Sequence, residues 1–104
     1  MNEGTGMNEA QILDRTRAWV RENFLYASPD WVLRDEDPML GSGVIDSVGV
    51  IELVEFLQQT FGVRIPDVEI TEGNLGSLAA ASRFVYAKCY ANQNGAGTRS
   101  PQPA

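Results

Sequence analysis

A chain of 104 residues with eight basic and fourteen acidic side chains has room for one small domain, and its net charge of −6 argues against nucleic acid as the main partner. The absence of histidine removes the commonest general base and metal ligand, and the single cysteine, Cys89, excludes an internal disulfide or a multi-cysteine metal site. No apolar run approaches the roughly 20 residues of a membrane span, and Met1-Asn2-Glu3 lacks the basic start of a secretion signal, so a cytoplasmic protein without a membrane span is expected.

Residues 1 to 7 carry a repeated Met-Asn-Glu around Gly4-Thr5-Gly6 and are expected to be a flexible N-terminus. Asn8 with Gln11 three residues on has the pattern of a capping box. Ile12, Thr16, Trp19, Val20 and Phe24 then recur at helical spacing, which predicts a helix to about Leu25. Ser28-Pro29 suits the cap and first position of a short helical turn carrying Trp31 and Val32. Trp31, Leu33, Met39 and Leu40 are expected to anchor this long connection across the core, and Gly41-Ser42-Gly43 predicts a turn ahead of Val44-Ile45.

The segment Ser47 to Phe61 has the clearest helical pattern, with Val50, Leu53, Val54, Leu57 and Phe61 on one apolar stripe. Gly62 stands where a left-handed residue ends a helix, and Val63 to Ile65 extends away before Pro66. Asp67 to Leu75 has room only for a short turn of helix. Ser77 is placed to cap a last helix, Leu78 to about Tyr90, with Leu78, Ala81, Val85 and Cys89 on its inner side. Residues 91 to 104 lack apolar periodicity and are expected to be a disordered tail, leaving 8 to 90 as the domain. The fold class expected is all-α: a small antiparallel helical bundle of three main helices plus one short helix, with a long first loop.

Three features meet around Asp46 and Ser47. Ser47 stands at the start of the main helix, where free N–H groups and the positive end of the helix dipole favour an anionic group. Asp46 before it can bind a metal or a basic group brought by a modifying enzyme. The outward side of the same helix carries Val48, Ile51 and Phe56 beside Glu52, Glu55 and Gln59, apolar residues ringed by acids that suggest a docking surface. Residues 35 to 76 hold nine acids against Arg64 alone, which favours basic protein partners. On spacing alone, Ser47 with Asp46 before it also reads as an ordinary helix cap.

Gly43-Val44-Ile45-Asp46-Ser47, the stripe that follows, Phe61-Gly62-Val63-Arg64-Ile65-Pro66-Asp67 and Leu75-Gly76-Ser77-Leu78 resemble acyl carrier proteins in order and spacing, over roughly Ile12 to Val85. The resemblance implies that Ser47 receives a 4'-phosphopantetheine arm from coenzyme A by the action of a phosphopantetheinyl transferase and Mg²⁺. It implies that acyl or aminoacyl groups ride on the arm's thiol as thioesters, and that the chain is a carrier and not an enzyme. The partners implied are acyl- or aminoacyl-loading enzymes and acyltransferases or synthases with basic docking surfaces. Asp46 then lies beside the arm, while Val48, Ile51, Glu52 and Glu55, with Phe56, form the surface those enzymes read.

The sequence departs from the family at Val48, where leucine is most frequent, at Gly49, where a larger residue is usual, and at Gln58-Gln59, which replaces acids common in fatty-acid carriers. These departures point to a dedicated lipid or specialised-metabolite pathway. The paired glycines typical of peptidyl carrier domains are missing before Asp46-Ser47. A monomer is expected, since the apolar-acidic surface is assigned to transient partners. A calcium loop fails because Met39 and Leu40 take the fifth and sixth positions counted from Asp35. A serine hydrolase fails for want of histidine and of a glycine in place of Ile45. The other reading is a non-catalytic interaction module, or a degenerate carrier whose serine stays unmodified.

Overall fold

The computed structural model of the protein describes residues 7–94. Most of the expected flexible N-terminus and disordered tail therefore lies outside the described residues. At the two boundaries, Met7 packs against the core and the last helix continues beyond Tyr90 to Asn94.

Three long helices and one short one make an all-α bundle: α1 (Glu9–Phe24), α2 (Ser47–Phe61), α3 (Glu72–Leu75) and α4 (Leu78–Asn94), with a 3₁₀ turn at Asp67–Glu69. The four helices are the expected set; the segment from Asp67 to Leu75 divides into two pieces because Thr71 starts a new cap, accepting the Asn74 N–H at 3.1 Å. Each long helix starts as its local chemistry dictates. Asn8 and Gln11 exchange reciprocal bonds of 2.8 Å, a complete capping box, and the Ser77 hydroxyl accepts the Ala80 N–H at 3.1 Å. Gly62 closes α2 at φ 69, a conformation that a side chain makes costly.

The core gathers Ile12 and Val20 of α1, Leu53, Val54 and Leu57 of α2, Leu75 of α3, and Leu78, Ala81 and Val85 of α4. Burying each large side chain contributes roughly 1.5–3 kcal/mol before entropy is counted. Two buried hydroxyls escape a desolvation penalty by bonding back along their own helices: Thr16 to the Ile12 carbonyl and Ser82 to the Leu78 carbonyl, both at 2.7 Å. Cys89 is half-buried, its thiol 3.8 Å from the Phe61 carbonyl, and burial pushes its pKa up.

The connection from Leu25 to Asp46 is held as firmly as the helices it joins. Leu25, Leu33, Met39, Val44 and Ile45 are buried, while the Met39 N–H donates to the Gly76 carbonyl and the Ala79 N–H donates to the Asp35 carbonyl, both at 2.8 Å. Trp31 and Leu40, expected as anchors, are instead exposed. Ser28-Pro29 makes a single turn, closed by the Trp31 N–H on the Ser28 carbonyl, and not a helical piece. Beyond it Leu33, and not Trp31 or Val32, takes the inward position.

Arg17 of α1 reaches into this connection, donating to the part-buried Leu33 carbonyl at 2.7 Å and pairing with Asp35. A charge-assisted bond to a shielded carbonyl contributes about 1.5–3 kcal/mol, whereas a half-exposed ion pair contributes at most about 1 kcal/mol. Arg17→Met is therefore expected to destabilise the protein by about 1–3 kcal/mol and to raise amide hydrogen exchange across residues 29–39, while Asp35→Asn costs less than about 1 kcal/mol. Denaturant titration and exchange mass spectrometry on both variants check the order; equal costs would contradict it.

Candidate functional site

Asp46, and not Ser47, is the N-cap of α2. Its backbone is extended, and its Oδ1 accepts the Gly49 N–H at 2.7 Å, the bond that a cap residue makes to the third helical position. Ser47 thereby becomes the first residue of the helix. Its side chain is exposed, and among the described residues its hydroxyl has no hydrogen-bond partner. The Val50 N–H closes on the Asp46 carbonyl at 3.0 Å. The amide N–H groups of Ser47 and Val48 have no acceptor among the described residues and remain open to an anion at the positive end of the helix.

Beside Ser47 lies a cleft of about 250 Å³. One wall is α2, through Val50, Ile51 and Leu53; the opposite wall comes from Ile70, Thr71, Glu72, Leu75 and Gly76; Met39, Leu40 and Ile45 of the first connection close it. Its lining is mostly aliphatic. The buried members, Met39, Ile45, Leu53 and Leu75, mark the inner end, and the exposed Ser47, Ile51, Leu40 and Glu72 mark the mouth.

The expected site residues divide in the structure. Val48 and Ile51 are exposed large apolar side chains at 67% and 54%, and Glu52 and Glu55 are exposed with no basic side chain paired to them among the described residues. Phe56 stands at the edge of this surface, where it lines a shallow depression with Glu52, Glu55 and Gln59. It is half-buried, stacked on Trp19 with ring centroids 4.8 Å apart and edge-on to Phe61, because its position on the helix turns it toward α1. Two of the departures have local structural reasons. A Cβ at Gly49 would stand 2.8 Å from Ile45 Cγ2 and 2.9 Å from the Phe24 ring, so glycine lets α1 close on the start of α2. Gln58 accepts the Ile65 N–H at 2.8 Å and pins the turn after α2.

Sequence reasoning missed the far wall of the cleft, Ile70 to Gly76. The sole signal was indirect: Met39 was one of four apolar residues expected to anchor the first connection, with nothing to say what it packs against.

A family model described as a phosphopantetheine attachment site matches residues 29–82, which span the first connection, α2, the cleft walls and the start of α4. No curated protein matches the chain. Among the described residues no helix is long and apolar enough to cross a membrane, and no group of three or more acids and cysteine is placed to hold a metal.

Glycine inside a helix ordinarily costs about 1 kcal/mol relative to alanine, whereas overpacking costs about 1–3 kcal/mol. At Gly49 the second effect is expected to win, because Ile45 is fixed in the core at 2% exposure. Gly49→Ala should lower the urea midpoint, and a raised midpoint would contradict the close approach of α1. Asp46→Ala should cost about 1 kcal/mol for the lost cap.

Proposed function

The chain belongs to the phosphopantetheine attachment-site family of acyl-carrier-type proteins, and from that premise we propose that Ser47 is the residue that takes the 4'-phosphopantetheine arm and that its cargo is an aliphatic acyl group. The observation that carries this reading is a serine hydroxyl, exposed and without a partner, at the first position of α2 and at the mouth of a cleft lined mostly by aliphatic side chains.

The residues present fit the group. The Ser47 and Val48 N–H groups face outward at the helix start, suited to a phosphodiester's charge. Asp46 opposes that charge, but two exposed unit charges about 4 Å apart interact by only about 1 kcal/mol in water. A helix terminus contributes about 0.3–1 kcal/mol, so neither effect decides the matter, and the free hydroxyl does. Asp46 Oδ1 is committed to its cap, leaving the other carboxylate oxygen to face a metal or basic group of the modifying enzyme. When attached, the arm supplies a terminal thiol that holds the acyl group as a thioester.

Val48 and Ile51, flanked by Glu52 and Glu55, supply the surface on which a phosphopantetheinyl transferase and the loading, acyltransferase or synthase enzymes dock through basic residues. Phe56, stacked on Trp19, borders this face beside Glu52 and Glu55. The aliphatic inner end, without a charged side chain to meet an ammonium group, favours acyl over aminoacyl cargo. Val48 and Gln59 remain as exposed departures without a packing reason, and they support a dedicated lipid or specialised-metabolite pathway. We take the carrier to be a cytoplasmic monomer with residues 8–90 as its domain, acting on no substrate itself.

Incubation with a promiscuous phosphopantetheinyl transferase and coenzyme A is expected to raise the intact mass by one phosphopantetheine group, and Ser47→Ala to abolish the gain. A folded wild-type protein of unchanged mass would favour the interaction-module reading. Glu52→Lys with Glu55→Lys should slow loading by about tenfold while leaving the helical circular dichroism intact. Unaltered loading kinetics would remove these two carboxylates from the docking surface.

A further inference from the structure

We infer that Met39 sets the depth of the cleft beside Ser47 and, with it, the longest acyl group that the protein encloses; the inference rests on the carrier reading above. Among the inner residues Met39 is distinct in kind. Ile45 is branched at Cβ and wedged against Gly49, and Leu53 and Leu75 belong to helices, whereas Met39 belongs to the first connection and is unbranched with three rotatable bonds beyond its backbone.

Its backbone is nevertheless fixed on both sides. The Met39 N–H donates to the Gly76 carbonyl at 2.8 Å, and its own carbonyl accepts the Ile45 N–H at 3.1 Å. These bonds tie one end of the far wall to the residue that leads into α2. The side chain thus lines the cleft, 2% exposed, from a backbone held on both sides. Shortening it leaves space that the pinned backbone cannot collapse to fill.

The size of the effect follows from the volume removed. The change is read as a difference, since the cleft is open on one side and its absolute capacity is not set by its volume. Truncation of Met39 to alanine removes three heavy atoms and should admit roughly three more carbons. A phenylalanine there, rigid and bulkier, should shorten the limit.

The test loads full-length protein with acyl-phosphopantetheine groups from two to sixteen carbons, using a transferase and the corresponding acyl-coenzyme A, and verifies loading by intact mass. Two readouts follow: the thermal midpoint, and the lifetime of the thioester toward hydroxylamine. In the wild type both should rise with chain length and then level off; in Met39→Ala the levelling point should move up by about three carbons. Should Met39→Ala fail to fold, Met39→Phe, which keeps the site filled, must bring the limit below that of the wild type.

Complete loading on Ser47 with the same limit in wild type and variant would overturn the assignment of Met39 alone. Failure of Ser47 to accept any acyl-phosphopantetheine would overturn the carrier reading and this inference with it. The two failures are separated by mass before either readout is taken.

Discussion

The bond from the Gly49 N–H to the Asp46 carboxylate is 2.7 Å long, and the arrangement of the site follows from it. It stops the first connection and starts α2 at one defined residue. Had Ser47 been the cap, its hydroxyl would have been occupied by the helix. With Asp46 in that role, Ser47 stands one residue inside, its hydroxyl free, at the end of the helix that best tolerates added negative charge. The cost of losing such a cap, about 1 kcal/mol, is small beside the core, so its importance lies in position more than in stability.

Around that point three parts of the chain converge. Gly49 allows the Phe24 ring of α1 to approach, Ile45 and Met39 bring in the first connection, and the Met39–Gly76 bond brings in the segment beyond α3. The cleft is the space left between α2 and the segment from Ile70 to Gly76. Its far wall is built from a helix of four residues and the turn before it, pieces too short to persist alone. They are held by the burial of Leu75, by the Gly76 carbonyl, and by the 2.7 Å ion pair from Lys88 of α4 to Glu69. The proposed docking surface and the cleft thus share α2: its outward residues Val48, Ile51, Glu52 and Glu55 face solvent, while Val50 and Leu53 face inward.

Much of this was legible in the sequence wherever the cause was local. The Asn8–Gln11 box, the Gly62 terminus, the Ser77 cap and the apolar stripe of α2 depend on residues within a turn or two of each other, and each formed as its chemistry requires. Less was legible where the cause was distant. The change of cap from Ser47 to Asp46 turns on one residue of register, which spacing alone leaves open. Phe56 read as outward on the helix pattern, yet its surroundings are set by Trp19, 37 positions earlier in the chain numbering. Trp31 and Leu40 read as anchors because they are apolar, but Leu33 and Met39 take the inward places. The far wall of the cleft escaped notice for the same reason, since nothing near Ile70 announces what packs opposite it. Gly49 and Gln58 read as family departures, and packing and a hydrogen bond account for them.

The central claim is that Asp46 caps the helix and so leaves the Ser47 hydroxyl, at the helix start and the mouth of the cleft, as the proposed point of modification. The most direct measurement is fragmentation mass spectrometry of the protein after phosphopantetheinyl transfer, with every serine-containing peptide quantified. The account predicts that the added group is found on Ser47 and that the peptides bearing Ser28, Ser42, Ser77, Ser82 and Ser100 are unmodified. The group on any other residue, or a folded protein that accepts none, would contradict it.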